Sequence, residues 1–259
     1  MHFVDTHCHF DLLENLEETI DGALKAGVKR FVVPSINPDS ARKVLALTSS
    51  SPQSYAAVGI HPTDELVHIN PLEAFEEIET IVSDYHEDII GIGECGLDFC
   101  QITPKLREQQ IDLFKLQLTL SQKYNLPLLI HNRKARTELL SLLAKGSYTG
   151  VFHCFSGSKK LVKEVYKLGF YFGISGLLTL DTGLQEVVKT IPLERIVLET
   201  DAPYLTPKPI KDTQPWPNKP ENLVYTAQKL AELKETDIEE VAKITTQNAQ
   251  TLFPNLSVT

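Results

Sequence analysis

Phe3-Val-Asp-Thr-His-Cys-His9 opens the chain as an apolar run that ends in two histidines one residue apart. On an extended strand, side chains i and i+2 share a face, about 6–7 Å apart, so two imidazoles there suffice to begin a metal site. The plainer reading is a pair of polar residues at a strand end. Which of the two holds depends on where the other histidines and carboxylates of the chain fall.

Moving outward, short β-branched runs alternate with longer helical ones. Strands are expected at His2–Thr6, Val28–Pro34, Ser54–Ile60, Ile89–Cys95, Pro127–His131, Thr149–Phe155, Phe170–Ser175 and Arg195–Thr200. Helices are expected at Asn15–Gly27, Pro38–Ser50, Pro71–His86, Pro104–Tyr124, Lys134–Lys145, Ser158–Leu168, near Leu180–Thr190, Pro220–Leu233 and Asp237–Thr251. Thr236-x-x-Glu239 fits a capping box for the last of them. The strands are nearly continuous apolar runs, as parallel strands buried on both faces require. Strict alternation implies right-handed crossovers. Eight such units in 259 residues predict an α/β fold, a (β/α)8 TIM barrel, as one domain over residues 1–259. The competing architecture is an open doubly wound sheet. It is weakened by the lack of a Gly-x-Gly-x-x-Gly after the first strand.

Composition narrows the setting. The chain has no apolar run long enough to span a bilayer, and its start lacks the basic and apolar regions of a signal peptide. Four cysteines with no CxxC pair read as reduced thiols of a cytoplasmic protein. A net charge of −9 argues against broad, charge-driven attachment to nucleic acid or an anionic membrane.

At the expected C-terminal ends of the strands stand His7 and His9, His61, Glu94, His131 with Arg133, His153, and Glu199 with Asp201. Five of the eight histidines are in this set. In a barrel all these positions converge on one mouth, where barrel enzymes place their active sites. Two carboxylates and four or five imidazoles exceed what one ion needs and fit two divalent ions sharing a carboxylate. By strand alternation Cys8, Cys95 and Cys154 face the helices as small fillers. Asp5 and Glu199 face inward, either orienting a ligand histidine or forming a buried polar network. Arg133 is a bidentate phosphate contact or a salt-bridge partner. His61 is a proton donor, a phosphate contact or a turn histidine before Pro62. The long segment Pro203–Pro220 has the length and irregularity of a functional loop, and on it Tyr204 and Trp216 either stack on a base or pack within the loop.

Asp-Thr-His-Cys-His, Gly-Ile-His-Pro, Gly-Glu-Cys-Gly-Leu-Asp-Phe, His-Asn-Arg, His-Cys-Phe-Ser-Gly, Leu-Glu-Thr-Asp-Ala-Pro-Tyr-Leu and Asn-Ala-Gln-Thr-Leu-Phe253 occur in this order along the chain. Together they resemble the TatD family of metal-dependent hydrolases and deoxyribonucleases, within the amidohydrolase-type barrels. The loop after Tyr204 is less basic than in many members and is nearer the YjjV-like branch. Lys134 stands where an acidic residue is common. The resemblance implies one ion held by His7, His9, Glu94 and Asp201, and a second by Glu94, His131 and His153, with Glu94 bridging. It also implies hydrolysis of DNA phosphodiester bonds, often from an end; the acidic net charge points to contact with few nucleotides of DNA or a short oligonucleotide, and the lack of an obvious interface signature to a monomer. Asp201 then serves as base, with Glu94, His61, Arg133 and Glu199 assisting. The ligand set does not choose among zinc, manganese, nickel and magnesium. The same site also suits a small phosphoester, carboxyl ester or amide, and a binding module without turnover is the reading from another class.

Overall fold

The structure, a computed structural model, describes residues 1–214 and 216–257. Eight parallel strands lie in the order β1 to β8: Phe3–Asp5, Val28–Pro34, Ser54–Val58, Ile89–Asp98, Leu128–Arg133, Gly150–Phe152, Tyr171–Ile174 and Ile196–Leu198. The helices are α1 Leu16–Lys25, α2 Pro38–Ser50, α3 Glu65–Ile69, α4 Pro71–Tyr85, α5 Pro104–Tyr124, α6 Arg136–Leu143, α7 Lys159–Lys167, α8 Thr182–Val188, α9 Leu223–Lys234 and α10 Ile238–Leu252. The sheet closes where the segments after β1 and β8 meet. Thr6 N–H donates to Leu198 O at 2.9 Å, Asp201 N–H to His7 O at 2.8 Å and His9 N–H to Ala202 O at 2.8 Å. The expected TIM barrel is therefore the fold observed.

Alternation along the strands makes two apolar shells. Val4, Val32, Ala57, Ile90, Leu129, Val151 and Val197 form the inner one. Phe253 and Leu256 join it from the end of α10 and beyond, plugging the barrel at the end opposite the mouth. Phe3, Phe31, Val33, Val58, Leu128, Ile130, Phe152 and Phe172 form the outer shell with the helices. Asn248 explains the late Asn-Ala-Gln-Thr-Leu-Phe motif: its Nδ2 donates to Leu193 O at 2.8 Å and to Ile196 O at 2.7 Å, fastening α10 to the start of β8.

Several boundaries differ from expectation. β6 and β8 end early, at Phe152 and Leu198, so that His153 lies past its strand, and α3 was not anticipated. Leaving the sheet frees these backbones from strand alternation, and both Cys154 (φ 44°) and Asp201 (φ 56°) adopt left-handed conformations. Cys8 and Cys95 do sit in the outer shell, as alternation requires. Cys154 instead stays half-buried, with Sγ 3.5 Å from Ser175 Oγ.

The loops at the mouth are held by buried glutamines of α5. Gln117 accepts from Ile60 N–H at 2.8 Å and donates to Ile60 O at 3.2 Å. Gln110 accepts from Asp98 N–H at 2.9 Å and donates to Pro62 O at 2.9 Å. Each glutamine thus replaces the sheet partner that a departing strand has lost. Gln117→Leu leaves both polar groups of the buried Ile60 backbone unpaired. Urea unfolding should show a loss of about 3 kcal/mol, with helix content unchanged in the folded state.

Candidate metal centre

Glu94 is the middle of the site. It lies within β4, is buried, and its backbone N–H donates to Ser35 O at 2.9 Å. Gly59 and Gly93 let β3 and β4 touch beside it: a Cβ on Gly59 would stand 2.8 Å from Gly93 Cα. The two carboxylate oxygens of Glu94 face different histidines. Oε2 is 3.3 Å from His7 Nε2 and 3.8 Å from His9 Nε2. Oε1 is 3.0 Å from His131 Nδ1, 3.2 Å from His153 Nε2 and 3.4 Å from His61 Nε2. Asp201 Oδ1 completes the first half, 3.7 Å from His7 Nε2 and 3.6 Å from His9 Nε2.

The structure thus brings His7, His9, His61, Glu94, His131, His153 and Asp201 together. Glu199 lies behind His153, with Oε1 3.3 Å from Nδ1, and also accepts from Cys154 N–H at 2.5 Å. Gly173 leaves room for it, since a Cβ there would collide with Glu199 Oε2. Arg133 lies on the rim with a largely exposed side chain, Nη1 3.8 Å from Asp98 Oδ2. Asp5 does not orient a histidine ring. Its carboxylate accepts from Thr200 N–H at 2.9 Å, Thr200 Oγ1 at 2.5 Å and His7 N–H at 3.3 Å. It fastens β1 to the segment after β8 as a buried polar network.

Asp98 and Thr63 were not anticipated. Asp98 Oδ2 is 3.2 Å from His131 Nε2, and its Oδ1 accepts from Cys100 N–H at 2.9 Å. The signal was available, since Asp98 is four residues beyond Glu94 on one strand. Thr63 N–H donates to His61 Nδ1 at 3.2 Å, and Thr63 Oγ1 is 2.8 Å from the same nitrogen.

These outer partners sort the imidazoles. A carboxylate behind a ring takes that nitrogen's proton in hydrogen bonding, leaving a lone pair on the inward nitrogen. Asp98 does this for His131, and Glu199 stands at the same place behind His153. A backbone N–H behind a ring does the reverse. Thr63 requires a lone pair on His61 Nδ1, so the neutral ring of His61 presents Nε2–H to the site. The lone-pair set of His7, His9, His131, His153, Glu94 and Asp201 fits divalent ions. His7 Nε2 and His9 Nε2 are 3.3 Å apart and both face the same carboxylates, so ring protons alone cannot satisfy all of them. Of the three-residue groups spaced for a metal, His7–His9–Asp201 offers lone pairs throughout, whereas His61–Glu94–His131 includes the donor ring of His61.

The charges are strongly interdependent. Burial works against the Glu94 carboxylate, but His153, His61 and His7 hold its pKa well below the usual carboxylate range. Burial works equally against a charged His153, but Glu94 and Glu199 raise its pKa well above the usual histidine range. His131 is raised against burial by Asp98 and Glu94, and His9 against burial by Asp201 and Glu94. Burial lowers His7, as does the charge of His153. Burial would raise Asp201, but His9, His153 and His7 bring it below its usual range.

A model of the TatD-related DNase family matches residues 4–254. The chain belongs to the TatD family. It is 35% identical to the metal-dependent hydrolase YabD of Bacillus subtilis, over 96% of this chain and 98% of that one. It is 30% identical to the human deoxyribonuclease TATDN3, over 98% of this chain and 95% of that one. The crystal structure of YjjV, a TatD homologue from Escherichia coli, superposes with a TM-score of 0.88 at 30% identity, covering 97% of this chain and 98% of that one. The expected family and hydrolase class are thereby met. Among the described residues no helix is long and apolar enough to cross a membrane.

In the ion-free protein, groups with raised folded-state pKa stabilise the fold below their unfolded pKa, and that stability is lost as pH rises through the folded value. His9, His131 and His153 are such groups, and so is Asp5, which burial pushes up to about 8. Thermal melts of chelated protein should therefore show stability falling as pH rises above about 6.5, with the Asp5 share of the loss centred at or below about pH 8. An unchanged melting temperature over that rise would contradict these assignments.

Proposed function

We propose that this protein is a single-domain, metal-dependent phosphodiesterase that hydrolyses DNA from a strand end with two divalent ions. The observation that carries the reading is Glu94, whose two carboxylate oxygens face two separate sets of imidazole nitrogens. His7, His9, Glu94 and Asp201 would hold one ion, and Glu94, His131 and His153 the other. Ions bound there supply Lewis acidity and make water a stronger acid at neutral pH. The names of the human and bacterial relatives support a hydrolase of this kind, and the human relative's name supports DNA as substrate.

The chain's own residues then divide the work. Asp201 is the more exposed of the two site carboxylates, 14% against 4% for Glu94, and its depressed pKa keeps it ionised. It accepts the proton released as water oxygen attacks phosphorus and the bond to the leaving oxygen breaks. His61 donates Nε2–H to a non-bridging phosphate oxygen, with Thr63 holding its tautomer. Arg133 reaches the same phosphate from the rim. Asp98 and Glu199 keep the rings of His131 and His153 turned inward.

End-labelled single-stranded and duplex oligonucleotides, with metal-reconstituted wild type and Glu94→Ala, test the reaction. Stepwise shortening lost in the variant is expected, whereas cleavage of small esters alone would overturn the DNA assignment. The tautomers give a second separation. Asp98→Asn should weaken ion binding about tenfold by calorimetry, while His61→Ala should leave it within about twofold and lower kcat/KM about 100-fold. Because His9, His131 and His153 start out raised, binding must also release protons, so affinity should climb with pH. Calorimetry in buffers of different ionisation enthalpy reads that release directly.

A further inference from the structure

Two aromatic side chains stand exposed at the edge of the site. Tyr204 is 45% exposed and Trp216 is 58% exposed. Their ring centroids are 5.5 Å apart at an interplanar angle of 56°. Tyr204 in turn meets His9 edge to face, with centroids 6.1 Å apart. An aromatic line thus runs from solvent to a candidate metal ligand.

The loop carrying the pair is firmly anchored. Asn218, fully buried, donates Nδ2–H to Tyr204 O at 2.7 Å and to Thr200 O at 3.1 Å. Its Oδ1 accepts from Lys219 N–H at 2.9 Å and from Asn222 Nδ2 at 3.0 Å, and its backbone N–H donates to Pro203 O at 2.9 Å. Lys208 N–H donates to Thr179 Oγ1 at 3.0 Å. The rings are therefore presented to solvent by an ordered frame, at a cost that internal packing would not require. Lys208 and Lys211, both exposed, lie on the same loop, so an anionic ligand with a flat apolar face suits it.

We infer that Tyr204 and Trp216 form a stacking subsite for one nucleobase of a strand end, adjoining the phosphodiester that is cut. This rests on the phosphodiesterase reading above. It adds that the enzyme senses the presence of a base, with little regard to which base, because every base offers a π face. The narrowness of the platform limits contact to a short stretch of the strand, consistent with a chain of net charge −9.

Two oligonucleotides of equal length and charge test it on the metal-loaded enzyme, one with ordinary terminal nucleotides and one with the terminal bases replaced by hydrogen. Trp216→Ala should raise KM about tenfold for the first and leave it unchanged for the second, with kcat altered less than about twofold. Trp216→Phe should restore the wild-type KM. Trp216 is the single tryptophan, so its emission reports binding of phosphorothioate versions that resist hydrolysis. Quenching by the base-bearing strand alone is expected. An equal KM rise for both strands, or equal emission changes, overturns the subsite. If wild type cuts neither strand but emission still discriminates between them, the phosphodiesterase reading falls and the stacking subsite stands.

Discussion

A carboxylate buried at the centre of a barrel has to be matched by positive charge, and Glu94 sets that requirement for the whole mouth. Five imidazoles approach it from four segments, and its field helps to raise three of them, His9, His131 and His153, in the ion-free protein. The surrounding features keep this charge in place. Touching glycines bring β3 against β4, Ser35 O holds the Glu94 backbone, and the α5 glutamines hold the loops on either side. Divalent ions satisfy the same requirement without leaving protons trapped between lone pairs.

Most of the barrel could be read from the chain because strands buried on both faces need apolar residues without interruption. The convergence of His7, Glu94, His131, His153 and Asp201 followed from that topology. Strand alternation carried the reading less well beyond the last sheet hydrogen bond. It placed Cys154 against the helices, whereas a left-handed backbone turns it aside, while Asp5, still within β1, takes the buried polar network of its two alternatives through Thr200. Asp98 was visible within the Gly-Leu-Asp-Phe motif, yet its partner, His131, is set by the pairing of β4 with β5. Thr63 acts through its backbone N–H as well as its hydroxyl, and a threonine two residues after a histidine carries little signal by itself.

Net charge describes this molecule poorly at the scale of its site. Glu73, Glu76, Glu77, Asp84, Glu87 and Asp88 are on α4 or just after it, along the outside of the barrel. Arg133 ends β5, and Lys134, Lys159, Lys160, Lys208 and Lys211, with Asp212 among them, follow β5, β6 and β8. Asp11, Glu14, Asp64 and Glu65 follow β1 and β3. The rim therefore has a basic sector and an acidic one, and a polyanion meets the basic sector first.

The seam that closes the barrel has a consequence for how the protein comes into being. His7 and His9 leave the ribosome first among the site residues, and Asp201 last. The hydrogen bonds joining their backbones connect positions separated by about three quarters of the chain. A growing chain consequently carries an incomplete cage until its final strand emerges. An ion held by His7, His9 and Asp201, as proposed above, would tie the first strand to the last. Its departure would then loosen the seam, and the seam's own hydrogen bonds would decide how long the barrel outlasts the loss.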